Sequence, residues 1–270
     1  MGYSPTVDSL CVTSIIMPRE GHVVVVVLLF ISVFASLILS GEGFISWYVP
    51  SRRPVALCNA AKRKKAKRKT RDGVPKPSFG GTNPAPRLIV FDLDGCLWKP
   101  ELYELAWRGE QSPFKALRRS DGTSTSCISR TGMELRLIRD VPTILERIYQ
   151  HMGETTRMCI SSRTGKAQWA RELLSLLRLP QSQVSLEEAL SGPWEIKNEP
   201  KREHFLRISE KTGIDPKEMV FFDNERGNCQ KVAKLGVTVG YCPEGLTDEI
   251  FNRTLSFYPR TNWDVVGVDL

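Results

Sequence analysis

A chain of 270 residues, 41% hydrophobic and 25% charged, carries enough apolar material for a sizeable core, which excludes a disordered or fibrous protein. The formal charge of +8 is local: Lys62 to Arg71 holds eight basic residues, whereas from Ala85 onward 26 basic residues balance 26 acidic ones. The globular part therefore gives no bulk electrostatic case for a nucleic-acid-binding face, and no nucleic acid is expected as a partner. Seven cysteines with no CxxC pair and no Cys/His ligand spacing exclude a disulfide framework and a zinc site.

Residues 1–20 lack periodicity and read as disordered. Residues 21–41 contain no charge, and Val23 to Leu39 is almost wholly apolar. That length fits both a short membrane anchor and the core of a removed leader. With an anchor, the basic residues from Arg52 onward lie on the cytoplasmic side. With a leader, the basic segment behind it suits targeting to an organelle. Residues 42–84 are a basic linker rich in proline and glycine, too poor in apolar residues to fold. Residues 85–270 form the folded domain.

Leu88 to Phe91 is an unbroken branched and aromatic run between Pro86 and Gly95, the pattern of a strand buried on both faces. Asp92 and Asp94 stand at its C-terminal end, where open α/β sheets place their ligand crevice. Two carboxylates so close together repel unless a cation sits between them, and a hard cation such as Mg²⁺ takes oxygen ligands. Lys99 to Leu137 reads as a long irregular excursion, a lid or substrate loop. Val141, Ile144, Leu145 and Ile148 repeat with helical spacing behind Asp140 as N-cap.

Met158 to Ile160 is a second strand, ending in Ser161-Ser162-Arg163-Thr164 before a helix that carries Trp169, Leu173 and Leu177 on one face. Hydroxyls, a guanidinium and helix N–H groups at one strand end are phosphate-binding materials. Pro200 opens a helix over Lys201 to Thr212 that Gly213 closes. Met219 to Phe222 is a third strand, ending in Asp223-Asn224; a helix stopped by Gly236 and a strand to Tyr241 follow. Alternating strands and helices predict a doubly wound parallel sheet. His204 reads as a packing group, Cys96 and Cys159 as small buried apolar residues, and Trp98 and Trp107 as lid or core.

Three strands thus end in polar clusters on one edge, with Lys201 between the second and third, a set that suits phosphoryl transfer. The ordered motifs Val90-Phe91-Asp92-Leu93-Asp94-Gly95-Cys96-Leu97-Trp98, Ser161-Ser162-Arg163-Thr164, Lys201-Arg202-Glu203-His204-Phe205 and Phe221-Phe222-Asp223-Asn224-Glu225-Arg226-Gly227-Asn228 resemble the haloacid dehalogenase-like hydrolases. The branch they resemble is the magnesium-dependent phosphatase-1, or acid phosphatase, family.

The resemblance implies a doubly wound fold with a small lid insertion after the first strand. It implies Asp92 as nucleophile, Asp94 as general acid and base, and Lys201 as the neutralising cation. Ser162 and Arg163 would hold the substrate phosphate, and Mg²⁺ would sit on Asp92, the Asp94 carbonyl and the Asp223/Asn224 corner. Two positions depart from the family pattern: Cys96 replaces a threonine, and Asn224 replaces a second aspartate. The expected substrate is a phosphorylated small molecule or a phosphoprotein: a phosphosugar, a glycated-amine phosphate or a phosphotyrosine-like group. The rivals are a protein serine phosphatase of the carboxyl-terminal-domain type and a catalytically weak, membrane-proximal binding module.

Overall fold

The structure, a computed structural model, describes residues 84–120, 122–259, 262 and 264–267. The expected disordered, apolar and basic segments before Pro84 lie outside the described residues, as does Asp121. Among the described residues no helix is long and apolar enough to cross a membrane.

Five parallel strands form the central sheet: β1 (Leu88–Phe91), β6 (Arg157–Ser162), β7 (Trp194–Ile196), β8 (Met219–Asp223) and β9 (Thr238–Tyr241), in the order β7-β6-β1-β8-β9. Because successive side chains alternate faces, each central strand feeds two cores. Ile89, Phe91, Met158, Ile160, Val220 and Phe222 enter one cluster; Leu88, Val90, Cys159, Met219 and Phe221 enter the other. Helices α2 (Val141–His151), α3 (Ala167–Leu176) and α7 (Asp248–Ser256) cover the first face with residues such as Ile144, Leu173 and Phe251. Helices α5 (Lys201–Thr212) and α6 (Arg226–Ala233) cover the second with Phe205, Ile208 and Val232. This is the expected doubly wound sheet.

The excursion after β1 is more regular than its sequence suggests. It folds into helix α1 (Leu102–Trp107) and a four-stranded antiparallel sheet of β2 (Trp98–Lys99), β3 (Lys115–Leu117), β4 (Ser126–Ile128) and β5 (Glu134–Leu137), in the order β2-β5-β4-β3. These strands run only two to four residues, too short for alternation to stand out. Three other elements were not expected: α4 (Leu186–Ala189), β7 and α7. Asp140 does sit at the N-cap of α2, but its carboxylate turns away and accepts from the Asp248 amide at 2.9 Å.

Other local expectations match. Helix α5 begins after Pro200 and ends at Gly213, whose φ of +65° is the left-handed conformation that glycine adopts freely. Cys96 and Cys159 are fully buried, as is Trp98, while Trp107 is 88% exposed.

Candidate active site

Parallel register brings the strand ends level. Phe91 pairs with Ile160 on one side and with Phe222 on the other, so Asp92, Ser161 and Asp223 follow on one line. The Asp92 amide continues the ladder by donating to the Phe222 carbonyl at 2.9 Å. Ser162 is one residue further out, at the mouth of the crevice, with its hydroxyl accepting from the Thr164 amide at 3.3 Å.

Lys201, the first residue of α5, reaches into this line. Its Nζ donates to Asp92 Oδ1 at 2.6 Å, lies 3.1 Å from Asp223 Oδ2, and also donates to the Ser161 carbonyl. Lysine, Asp92 and Asp223 are all buried. Burial works against the charge of Lys201, but Asp92 and Asp223 more than reverse that, and its affinity for a proton rises. Asp92 is pushed up to about 8, chiefly by burial; Lys201 opposes the shift, while Asp223 and Asp94 add to it. One ammonium thus serves a surplus of carboxylates.

Asp94 is also pushed upward, by burial, against hydrogen bonds from Trp98, the Leu102 amide and Thr164. Its Oδ1 accepts from the Trp98 indole at 2.7 Å and from the Leu102 amide at 3.2 Å. Gly95 follows with φ +72°, and a Cβ there would clash with Asn224 Nδ2. Asn224 therefore packs directly on the loop of Asp94, so the two ends of the expected cluster do meet. Asp223 is oriented through Oδ1 by the Glu225 amide at 2.7 Å and through Oδ2 by Asn228 Nδ2 at 3.2 Å.

A cavity of about 250 Å³ opens over these groups, lined in part by Asp92, Asp94, Ser162, Arg163, Thr164 and Asn228. Arg163 stands at its rim, 3.7 Å from Glu225. Of the residues expected from sequence, Asp92, Asp94, Ser162 and Arg163 line the cavity; Lys201 and Asp223 lie beneath it, and Asn224 lies against Gly95.

Sequence reasoning gave no role to Asn228, Glu101 or Tyr103, which also line the cavity. Asn228 carries a legible signal, since it follows Asp223 in the first turn of the next helix. Glu101 and Tyr103 carry none, because only the folded insertion brings them there. His204 behaves as the packing group expected of it: fully buried, it shares a 3.0 Å hydrogen bond with Ser161 Oγ through Nδ1.

The donor chemistry suits a hard divalent cation. Asp92, Asp223, the Asp94 carbonyl and the Asn224 amide offer oxygens, and a cation would offset the surplus negative charge that one lysine leaves. Among the described residues no group of three or more His, Cys, Asp or Glu side chains is placed to hold a metal alone. Mg²⁺ is held by one or two carboxylates and otherwise keeps water or substrate oxygens.

A family model described as Acid Phosphatase matches residues 84–261. The chain is 33% identical over 175 residues to the human protein named magnesium-dependent phosphatase 1, covering 65% of this chain and 88% of that one. It is 33% identical over 157 residues to a HAD-like hydrolase superfamily protein of Schizosaccharomyces pombe, covering 57% of this chain and 83% of that one. Among solved structures it overlaps a HAD family enzyme from Bacteroides thetaiotaomicron, in complex with magnesium and inorganic phosphate. That overlap has 13% identity and a TM-score of 0.33, over 57% of this chain and 93% of that one. The family likeness rests on the sequence matches.

Proposed function

This chain belongs to the acid phosphatase family of the haloacid dehalogenase-like hydrolases and is a magnesium-dependent phosphatase; from that premise we propose that it hydrolyses phosphomonoesters through an aspartyl-phosphate on Asp92. The observation that carries the reading is the Lys201 ammonium, 2.6 Å from Asp92 and 3.1 Å from Asp223. It pulls the proton affinity of the first carboxylate down, against the burial that raises it, and so favours the ionised, nucleophilic form.

In the first step an Asp92 oxygen attacks phosphorus, the ester P–O bond breaks, and Asp94 gives its proton to the leaving oxygen. In the second, water attacks the phosphoryl group, Asp94 takes the water's proton, and the Asp92–phosphate bond breaks to release phosphate. Lys201 offsets charge on the nucleophile in both steps. Ser162 holds a phosphoryl oxygen, and Arg163 meets the substrate at the rim. Mg²⁺, held by Asp92, the Asp94 carbonyl and the Asp223/Asn224 corner, would polarise the phosphoryl group and screen its charge.

A cavity of about 250 Å³ supports a phosphorylated small molecule or an extended side chain such as phosphotyrosine. A phosphosugar or a glycated-amine phosphate fits the same description. We place the domain on the cytoplasmic side of a membrane through residues 21–41, or in an organelle after removal of a leader; fractionation with N-terminal sequencing of the mature chain separates the two. The full chain with Mg²⁺ should hydrolyse p-nitrophenyl phosphate, and both EDTA and Asp92→Asn should abolish turnover. Turnover unchanged by Asp92→Asn would falsify the nucleophile assignment.

A further inference from the structure

Two hydrogen-bond donors to Asp94 Oδ1 come from the inserted segment. Trp98 lies on β2, where it pairs with Leu137 in the antiparallel sheet, and Leu102 opens α1. The indole is fully buried, and its Nε1–H reaches Oδ1 at 2.7 Å, closer than the Leu102 amide at 3.2 Å. The backbone between them is held as well: Gly95 donates to the Trp98 carbonyl at 3.0 Å, and Leu97 donates to the Leu93 carbonyl at 2.8 Å. A buried indole N–H needs an acceptor, and the carboxylate here is that acceptor.

An oxygen that already accepts two N–H bonds has no room for a proton of its own. We propose that Trp98 is the positioning residue of the general acid: it fixes Asp94 Oδ1 as acceptor, so that Oδ2 is the oxygen that exchanges a proton with the leaving group. The inserted sheet thereby sets the geometry of proton transfer as well as bordering the cavity. The inference rests on the reading of Asp94 as acid and adds to it a residue outside the polar clusters at the strand ends.

Proton donation matters in proportion to how poor the leaving group is, which supplies a readout that general damage to the fold does not move. The test compares kcat/KM for p-nitrophenyl phosphate and phenyl phosphate in the full-length wild-type enzyme and in Trp98→Phe, with Mg²⁺ saturating. Nitrophenolate leaves readily without a proton; phenolate needs one. The variant should lose phenyl phosphate hydrolysis about 5-fold or more beyond its loss on the nitrophenyl ester. Because the result is a ratio within one preparation, a smaller active fraction cancels.

An equal loss on both esters, or no loss on either, overturns the proposal. If Trp98→Phe does not fold, β-(3-benzothienyl)alanine at position 98 keeps the bicyclic shape without the N–H and should produce the same selective loss. Failure of this inference alone leaves Asp94→Asn selectively impaired on phenyl phosphate and Trp98→Phe at the wild-type ratio. Failure of the underlying reading leaves Asp94→Asn with no selective loss on phenyl phosphate.

Discussion

Lys201 Nζ lies 2.6 Å from Asp92 Oδ1, a contact that closes 109 positions of sequence inside the sheet's upper edge. Each partner is costly to bury alone, and the two are tolerated there because they are buried together.

Removing the ammonium should therefore damage both chemistry and fold. Lys201→Met is expected to lose activity by about 100-fold or more. Without metal it should lose about 3 kcal/mol of stability at pH 9.5, from the buried carboxylates left without their partner. The loss should shrink at pH 6, below the value near 8 to which Asp92 is already held in the intact site, because it then carries a proton with or without the lysine. Urea unfolding in EDTA at the two pH values checks this. Equal losses at both would show that the carboxylates do not carry the penalty.

His204 supplies an acid limit to stability. Burial, with the charges of Lys201 and Arg207, holds it down at about 4 rather than 6.5. Its Nε2 has no acceptor among the described residues, so a second ring proton would stand unpaired. Below pH 6.5 the unfolded chain gains a proton that the native chain refuses, and stability drains as the pH falls toward 4. The contribution of His204 over that window should be about 3 kcal/mol, read as the difference between the wild type and His204→Gln, which cannot titrate. Denaturation midpoints at pH 7, 6, 5 and 4 give the slope.

Gly95 tests how tightly the Asp94 loop and the Asp223–Asn224 corner are pressed together. Gly95→Ala carries the left-handed strain of about 1–2 kcal/mol and also drives a methyl against the Asn224 amide. Gly109→Ala has φ +77° and nothing within 4 Å, so it carries the strain alone. Gly95→Ala should cost more stability than Gly109→Ala and should raise the Mg²⁺ concentration for half-maximal activity severalfold. Gly109→Ala should leave that concentration unchanged. Metal titrations of both variants decide it.

The elements that position the site were legible because they are driven by local rules. Leu88–Phe91 and Met219–Phe222 are apolar on both faces, as strands at the centre of a parallel sheet must be. Pro200 and Gly213 bracket α5 by their backbone preferences alone. Such signals placed Asp92, Ser162, Lys201 and Asp223 at strand or helix ends that a parallel sheet gathers on one edge. The short strands of the insertion carry no comparable signal, since pairing with one another and packing against the domain define them.

What sequence alone determined about this protein is its set of reactive groups and the sheet edge that they share. Tertiary structure decided which of those groups touch. It put Lys201 between Asp92 and Asp223, set Asn224 on Gly95, and brought the Trp98 indole to Asp94. The physical reason is that burial and distance govern charge and proton affinity, and neither exists until segments a hundred residues apart pack together.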